Sequence, residues 1–331
     1  RKSILEDRFM ELYHAKRVFL HEDDLDNPVL HPKVKRKKTP PLQLGNYEVH
    51  IANEGFASIK HVSSGEIMHS RNHPMDEARE LYTEQSNLAQ RVRLEEGQSE
   101  AQELVIWDVG LGAAANAMAA IVCYEEEARK GLVRPLKILS FENDLDSLEL
   151  AFRHSDKFPY LRHGGPAWIL RQGSWQSREW PGLSWQLIRG DFLSMHDEAP
   201  ERPDIIFYDM FSSKTNGEQW TRDAFVRLFG VCCGGATELF TYTCSTASRV
   251  AMLAAGFVVA KGRPTGEKVE TTIAFTPEAW KAPHSQRHEL LGAEWLAKWR
   301  RSTAQFPSWL DADQRMEFER RITQLPQFQV S

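Results

Sequence analysis

Four short apolar runs, each closing on a carboxylate, constrain the fold of this chain more than any other feature. They are Leu104-Val105-Ile106-Trp107-Asp108, Leu136 to Glu142, Trp185 to Asp191 and Asp204 to Asp209. Runs of this length read as strands, and the continuously apolar Leu104 to Trp107 as one buried on both faces. Such strands need a covering layer on each side. The segments between them supply it: an alanine-rich helix from about 113 to 130, and another near 145–155. A fifth strand at Glu238 to Thr243 and two more near 257–262 and 270–276 bring the set to seven. Strands alternating with helices predict an α/β fold with a doubly wound, seven-stranded, mostly parallel sheet. A turn-rich loop, not a helix, joins the last two strands, so they are expected to form an antiparallel edge.

The flanks read differently. Residues 1–20 have Ile4, Leu5, Phe9, Leu12 and Tyr13 near helical spacing, and a polar stretch with Lys33-Val34-Lys35-Arg36-Lys37-Lys38 and Pro40-Pro41 follows as a linker or exposed arm. Alternating residues between 46 and 69 predict a β-hairpin of two or three strands, and 74–95 predict an amphipathic helix. Residues 163–184, rich in Gly, Pro and Trp, read as an inserted loop, and 278–331 as helices carrying several tryptophans. The expected organisation is therefore an N-terminal helix and basic linker (1–45), a hairpin and helix subdomain (46–103), the α/β domain (104–277) and a C-terminal helical extension (278–331).

With 41% hydrophobic and 26% charged residues, the 331-residue chain can bury a sizeable core. Its net charge of −5 does not announce a nucleic-acid binder, although a local basic patch would suffice to attract phosphates. The four cysteines form no CxxC pair and no zinc spacing, so no metal is expected and free thiols in a reducing compartment follow. No signal-like segment or apolar run of membrane-spanning length is seen, and the cytoplasm is the expected location.

In open α/β sheets, ligands bind beyond the carboxyl ends of the strands, where Asp108, Glu142, Asp191 and Asp209 all fall. Gly110 and Gly112 in the first strand-to-helix turn let the backbone approach a ligand closely. The turn lacks a full GxGxxG and a following Lys-Ser/Thr, which excludes a P-loop. Asp108 before the glycines suits a ligand with a cationic amino-acid end better than a pyrophosphate. Glu142 can accept both hydroxyls of a ribose, and Asp191 can accept from an adenine amino group with Phe192 beside the ring. Each has a plainer reading as well: an ordinary βα turn, a helix N-terminus favouring a negative charge, a turn aspartate.

Taken together, these residues resemble the class I S-adenosyl-L-methionine-dependent methyltransferases, whose core is Rossmann-like. Within that class the chain resembles the MnmC-type tRNA wobble-uridine methyltransferases, which convert 5-aminomethyl-uridine to 5-methylaminomethyl-uridine. Their acidic-x-G-x-G-T-G-x-N pattern is met by Asp108-Val109-Gly110-Leu111-Gly112-Ala113-Ala114-Ala115-Asn116. Asp209-Met210-Phe211-Ser212-Ser213, then Lys214, Asn216 and Trp220, matches their most specific segment. Thr241-Tyr242-Thr243, Gly266-Glu267-Lys268, and upstream Glu66, His69-Ser70 and Glu77 also fit, so the resemblance covers about 46–276. Ala113 and Ala114 stand where the family has Thr-Gly, and Ser213 where it has proline.

The resemblance implies S-adenosyl-L-methionine as cofactor, with Asp108, Gly110, Gly112, Asn116, Glu142, Asp191 and Phe192 around it. It implies a tRNA substrate, with Asp209 orienting the acceptor amine and receiving its proton. Phe211, Trp220, Tyr242 and His69 would bound the acceptor pocket, and Lys214 and Lys268 would face phosphates, although ordinary packing or surface roles remain open for each. No second dinucleotide fingerprint follows residue 276, so a separate FAD-dependent enzyme would supply the aminomethyl-uridine. Three alternatives stand beside this reading: a small-molecule or protein acceptor, a catalytically silent binding module, and a polyamine synthase. The non-acidic loop Phe211-Ser212-Ser213-Lys214 speaks against the last.

Overall fold

Strand β4 (Leu104–Val109) is buried at every position and divides the interior by simple alternation. Leu104 and Ile106 point into one apolar cluster, while Val105, Trp107 and Val109 point into another on the opposite face. The structure, a computed structural model, describes residues 41–69, 71–94, 102–195, 199, 201–266, 268–307 and 310–329. The expected N-terminal helix, the basic run Lys33–Lys38, Ser70 and Glu267 lie outside the described residues.

Around β4 the sheet runs, in spatial order, Val258–Gly262, Thr271–Phe275, Glu238–Thr241, Ile205–Tyr208, β4, Leu136–Glu142, Leu183–Arg189 and Ser174–Gln176. Strands β5 (Leu136–Glu142), β7 (Leu183–Arg189), β8 (Ile205–Tyr208) and β9 (Glu238–Thr241) join β4 in a parallel set. The chain builds outward from β4 through β5 to β7, then returns to the other side of β4 with β8 and β9. The gap between β4 and β8 is thus the switch point at which α/β sheets open a crevice. Strands β10 (Val258–Gly262) and β11 (Thr271–Phe275) form the expected antiparallel edge, with β11 also antiparallel to β9.

The sheet has eight strands rather than the seven expected, because β6 (Ser174–Gln176) adds an antiparallel pair to β7 inside the segment read as a loop. The glycines that suggested irregular chain there begin and end a helix, Gly164–Gln172. The His163 side chain accepts from Gly165 N at 3.0 Å to cap its start, and Gly173 at φ +74° ends it in the left-handed region.

The upstream segment forms a separate antiparallel sheet of β1 (Gln43–Leu44), β2 (Tyr47–Ile51) and β3 (Ala57–His61). The single helix expected over 74–95 is instead broken into three pieces: an α-helical turn at Pro74–Ala78, a π-helical turn at Arg79–Glu84, and a second α-helix at Leu88–Val92 after Asn87 in the left-handed region. Side chains compete for the backbone there. Thr83 Oγ1 donates to Arg79 O at 3.1 Å, Gln85 Nε2 to Leu81 O at 2.9 Å, and Ser86 Oγ to Thr83 O at 3.2 Å. Helix Ala115–Ala128 covers the first face of the sheet. The helices Arg222–Cys232, Thr246–Ala255 and Ala293–Arg300 cover the second, where Trp295 and Trp299 are core residues with rings stacked at 6.2 Å. No helix among the described residues is long and apolar enough to cross a membrane.

Candidate active site

Where β4 and β8 end, the turn after β4 closes against the residue after β8. Gly110 takes φ +87°, and a Cβ added to it would stand 2.8 Å from the Asp209 carbonyl oxygen, so glycine is required there. Gly112 takes φ +51°, with Met68 of the hairpin segment 3.1 Å from its Cβ direction. Ala114 takes φ +63° without being glycine. The loop therefore adopts left-handed backbone where the family has glycine, at about 1–2 kcal/mol of strain.

A cavity of about 950 Å³ opens over this turn. The site residues anticipated from sequence divide around it. Gly110, Gly112, Asn116, Glu142, Asp209, Phe211, Tyr242, Lys268 and His69 line the cavity; Asp108, Asp191, Phe192, Lys214 and Trp220 stand outside the lining. Asp108 is fully buried beneath the loop and accepts from Ser140 Oγ at 2.7 Å, which in turn accepts from Trp185 Nε1 at 2.8 Å. Burial pushes its carboxyl up to about 7, with the charges of Asp209 and Glu142 adding to the rise and the Ser140 bond opposing it. Asp191 is exposed and accepts from Gln219 Nε2 at 2.9 Å, while Phe192 packs edge-on against Phe141 and Trp107 in the core. Lys214 is exposed, and Trp220 lies behind the wall, donating from Nε1 to Phe211 O at 2.8 Å.

Glu142 lines the cavity beside Gly112. It accepts from Gly112 N at 3.1 Å, Asn143 N at 2.9 Å and Asp144 N at 3.2 Å, and burial raises its pKa against these bonds. Asp209 lines the cavity beside the Gly110 turn. Asn116 Nδ2 donates to Asp209 Oδ2 at 2.7 Å, leaving Asn116 Oδ1 buried without a partner among the described residues. Burial raises the Asp209 pKa, while His69 and the Asn116 bond hold it back. His69 Nδ1 meets Glu77 Oε2 at 2.9 Å, and Thr265 Oγ1 donates to Glu77 Oε1 at 2.7 Å. Burial alone would lower the His69 pKa, but the Glu77 bond and the charges of Glu77 and Asp209 bring it above its ordinary value. Glu77 is lowered, its ion pair overcoming burial.

That pair predicts a pH signature. A raised histidine contributes stability in full below its unfolded pKa of 6.5 and loses it as pH rises through the folded value. The lowered Glu77 contributes above 4.5 and loses its share as pH falls through its folded value. The melting-temperature gap between the wild type and His69→Asn should be widest between these limits and narrow as pH rises past them. A gap that widened toward alkaline pH would contradict a charged pair.

The segment after the hairpin holds the loop that follows β8. Glu66 accepts from Ser212 N at 2.8 Å, Ser212 Oγ at 3.0 Å and Thr215 Oγ1 at 2.7 Å, which ties the loop after β8 to the N-terminal sheet. Tyr242 Oη donates to Met210 O at 2.9 Å, and Lys268 Nζ lies 4.3 Å from the Tyr242 ring centroid and donates to Tyr242 O at 3.2 Å. Sequence reading missed Tyr82, which lines the cavity from the π-helical turn. The only hint was the crowding of Thr83, Gln85 and Ser86, which weakens a regular helix.

One segment of the chain is similar to a class of enzymes, the S-adenosyl-L-methionine-dependent methyltransferases. Residues 167–277 match the family model described as S-adenosyl-L-methionine-dependent methyltransferase. Within that class, the resemblance to MnmC-type proteins is borne out by curated relatives that are each a tRNA 5-methylaminomethyl-2-thiouridine biosynthesis bifunctional protein MnmC. The protein from Ralstonia nicotianae is 34% identical over 95 residues, covering 29% of this chain and 14% of the relative. That from Aeromonas salmonicida is 26% identical over 215 residues, covering 62% and 32%. The chain thus matches less than a third of the length of these relatives. The crystal structure of MnmC2 from Aquifex aeolicus has the same fold, with a TM-score of 0.57 at 20% identity over 96% of this chain and 97% of that one.

The residues present fit the cofactor. The turn Gly110–Gly112 admits close backbone approach, Glu142 offers a carboxylate to vicinal hydroxyls, and the cavity continues from there to Asp209. When bound, the cofactor supplies an electrophilic methyl group on a sulfonium. No cluster suited to a metal ion occurs among the described residues.

Proposed function

We propose that the chain N-methylates the 5-aminomethyl group of wobble uridine in tRNA. The observation that carries this reading is Asp209: a half-buried carboxylate at the cavity wall, with one oxygen fixed by Asn116 and a raised pKa suited to taking a proton. A primary amine is protonated in water at neutral pH and attacks only once it has lost a proton. Asp209 would receive that proton and pass it to solvent. The nitrogen lone pair then forms the N–C bond while the C–S bond breaks, its electron pair remaining on sulfur as a neutral thioether. The protein's contribution is alignment, which can supply a large share of the barrier reduction in such displacements. In this reading Glu142 and the Gly110–Gly112 turn hold the cofactor over Asp108, and Asp191 and Phe192 support the adenine end from outside the lining. Phe211, Tyr242 and His69 would bound the base, Trp220 would brace them, and Lys268 and Lys214 would meet phosphates.

The names of the curated relatives support a tRNA substrate. A separate FAD-dependent enzyme would supply the aminomethyl group, and the cytoplasm would be the place of work. The net charge of −5 favours a second reading, in which the same chemistry acts on a small-molecule or protein amine. Incubation with isotope-labelled cofactor separates the readings. Label is expected in tRNA carrying aminomethyl-uridine and absent from tRNA lacking it. Label confined to small amines or protein would favour the second reading, and absence of cofactor binding in calorimetry would leave a silent binding module.

A further inference from the structure

Two buried polar atoms on the Asp209 side of the cavity lack partners among the described residues: Asn116 Oδ1 and Tyr82 Oη. Tyr82 is 1% exposed, and its ring packs 5.1 Å from that of Phe207 on β8. Its hydroxyl lies beside the Asp209 carboxyl group and helps hold that group's pKa back, while meeting no partner at regular hydrogen-bond geometry among the described residues. Leaving buried polar atoms unpaired is costly, and the π-helical turn that carries Tyr82 is a form concentrated at functional sites. Both facts point to a ligand that supplies donors.

We propose that Tyr82, Asn116 and Asp209 form a three-point receiver for a primary amine, and that Tyr82 limits the reaction to one methyl group. The inference rests on the amine-acceptor reading above and adds to it the number of methyl groups transferred. A neutral primary amine has one lone pair and two N–H donors. With its lone pair aimed at the incoming methyl carbon, it can give its N–H groups to acceptors within this trio. Nitrogen gains the methyl as the C–S bond breaks, and the surplus proton leaves to Asp209. To react again, the product must present its lone pair with a single N–H. Its methyl group would then face Tyr82 Oη or Asn116 Oδ1 and leave a buried oxygen unpaired, which slows a second transfer by about tenfold to a hundredfold. Phenylalanine at position 82 removes that oxygen and presents a carbon edge with room for the methyl group.

The test uses the whole protein with tRNA bearing aminomethyl-uridine and tRNA already bearing methylaminomethyl-uridine, with nucleoside products identified by mass spectrometry. The wild type is expected to methylate the first, and the second about tenfold to a hundredfold more slowly. Tyr82→Phe should slow the first transfer by about tenfold, for the loss of one hydrogen bond. It should also yield dimethylated nucleoside from either tRNA while binding cofactor as the wild type does. A merely structural role would lower the rate without changing the product. Wild-type transfer to the secondary amine within tenfold of the primary would overturn the inference, a result that does not require the variant to fold. A Tyr82→Phe enzyme equal to the wild type in rate and product would overturn it as well. A wild type that methylates neither tRNA refutes the amine-acceptor reading itself, and the receiver with it.

Discussion

Asp209→Asn is expected to lower methyl transfer by about 10²–10⁴-fold, the range for removing a positioned proton acceptor, while cofactor affinity stays within about threefold. Asparagine keeps the size of the side chain and can present its amide oxygen to Asn116 Nδ2, which now donates to Asp209 Oδ2 at 2.7 Å. It cannot take a proton. The wild-type rate should fall as pH drops through the raised Asp209 pKa, because a protonated carboxyl group can neither accept the proton nor attract an ammonium. The asparagine enzyme should lose that limb and regain part of its rate at alkaline pH, where the free amine becomes abundant in solution. Stopped-time assays across pH, with calorimetry for the cofactor, separate the two effects. Undiminished turnover in the variant would falsify the role given to Asp209.

The sheet was legible in the sequence because doubly buried strands carry continuous apolar runs, and Leu104–Val109 and Ile205–Tyr208 have little freedom to be anything else. The antiparallel edge followed from the absence of a helix between Val258–Gly262 and Thr271–Phe275. Composition misled where punctuation residues serve as caps: Gly164, Gly165 and Gly173 bound a helix, and their abundance hid both it and the strand after it. The cavity lining was partly legible. Strand-end position located Glu142 and Asp209, but it cannot tell a carboxylate that faces the cavity from one that supports the loop from below, as Asp108 does through Ser140. Asp191 illustrates the same limit: Ser194, three residues on, is a local partner, but Gln219 is brought to it by a tertiary contact that no local pattern encodes. Tyr82 was invisible for a related reason. Its orientation depends on a π-helical turn, and a register change of one residue within a helical pattern leaves no periodicity signal.

Gly110→Ala should be the most damaging substitution in the cofactor turn, with unfolding free energy lowered by about 1–3 kcal/mol and methyl transfer reduced by about a hundredfold. Two independent terms combine. The backbone at φ +87° is left-handed, which an alanine occupies at about 1–2 kcal/mol. The added Cβ would meet Asp209 O at 2.8 Å, Asp209 C at 3.0 Å and Met210 Sδ at 3.1 Å, and the first two are backbone atoms that cannot swing aside. Relief must come from moving the end of β8 away from β4. Gly110 N is bonded to Phe141 O at 3.2 Å and Asp209 N to Val109 O at 2.9 Å, so the strain passes directly to Asp209. Ala114→Gly, four residues along the same turn, is the control. Ala114 already takes φ +63°, which glycine adopts freely, so stability should be unchanged or slightly higher and activity retained. Denaturant unfolding and initial rates on both variants test the geometry. If Gly110→Ala were as stable and active as Ala114→Gly, the close approach of the two strand ends could not be what fixes Asp209 in place.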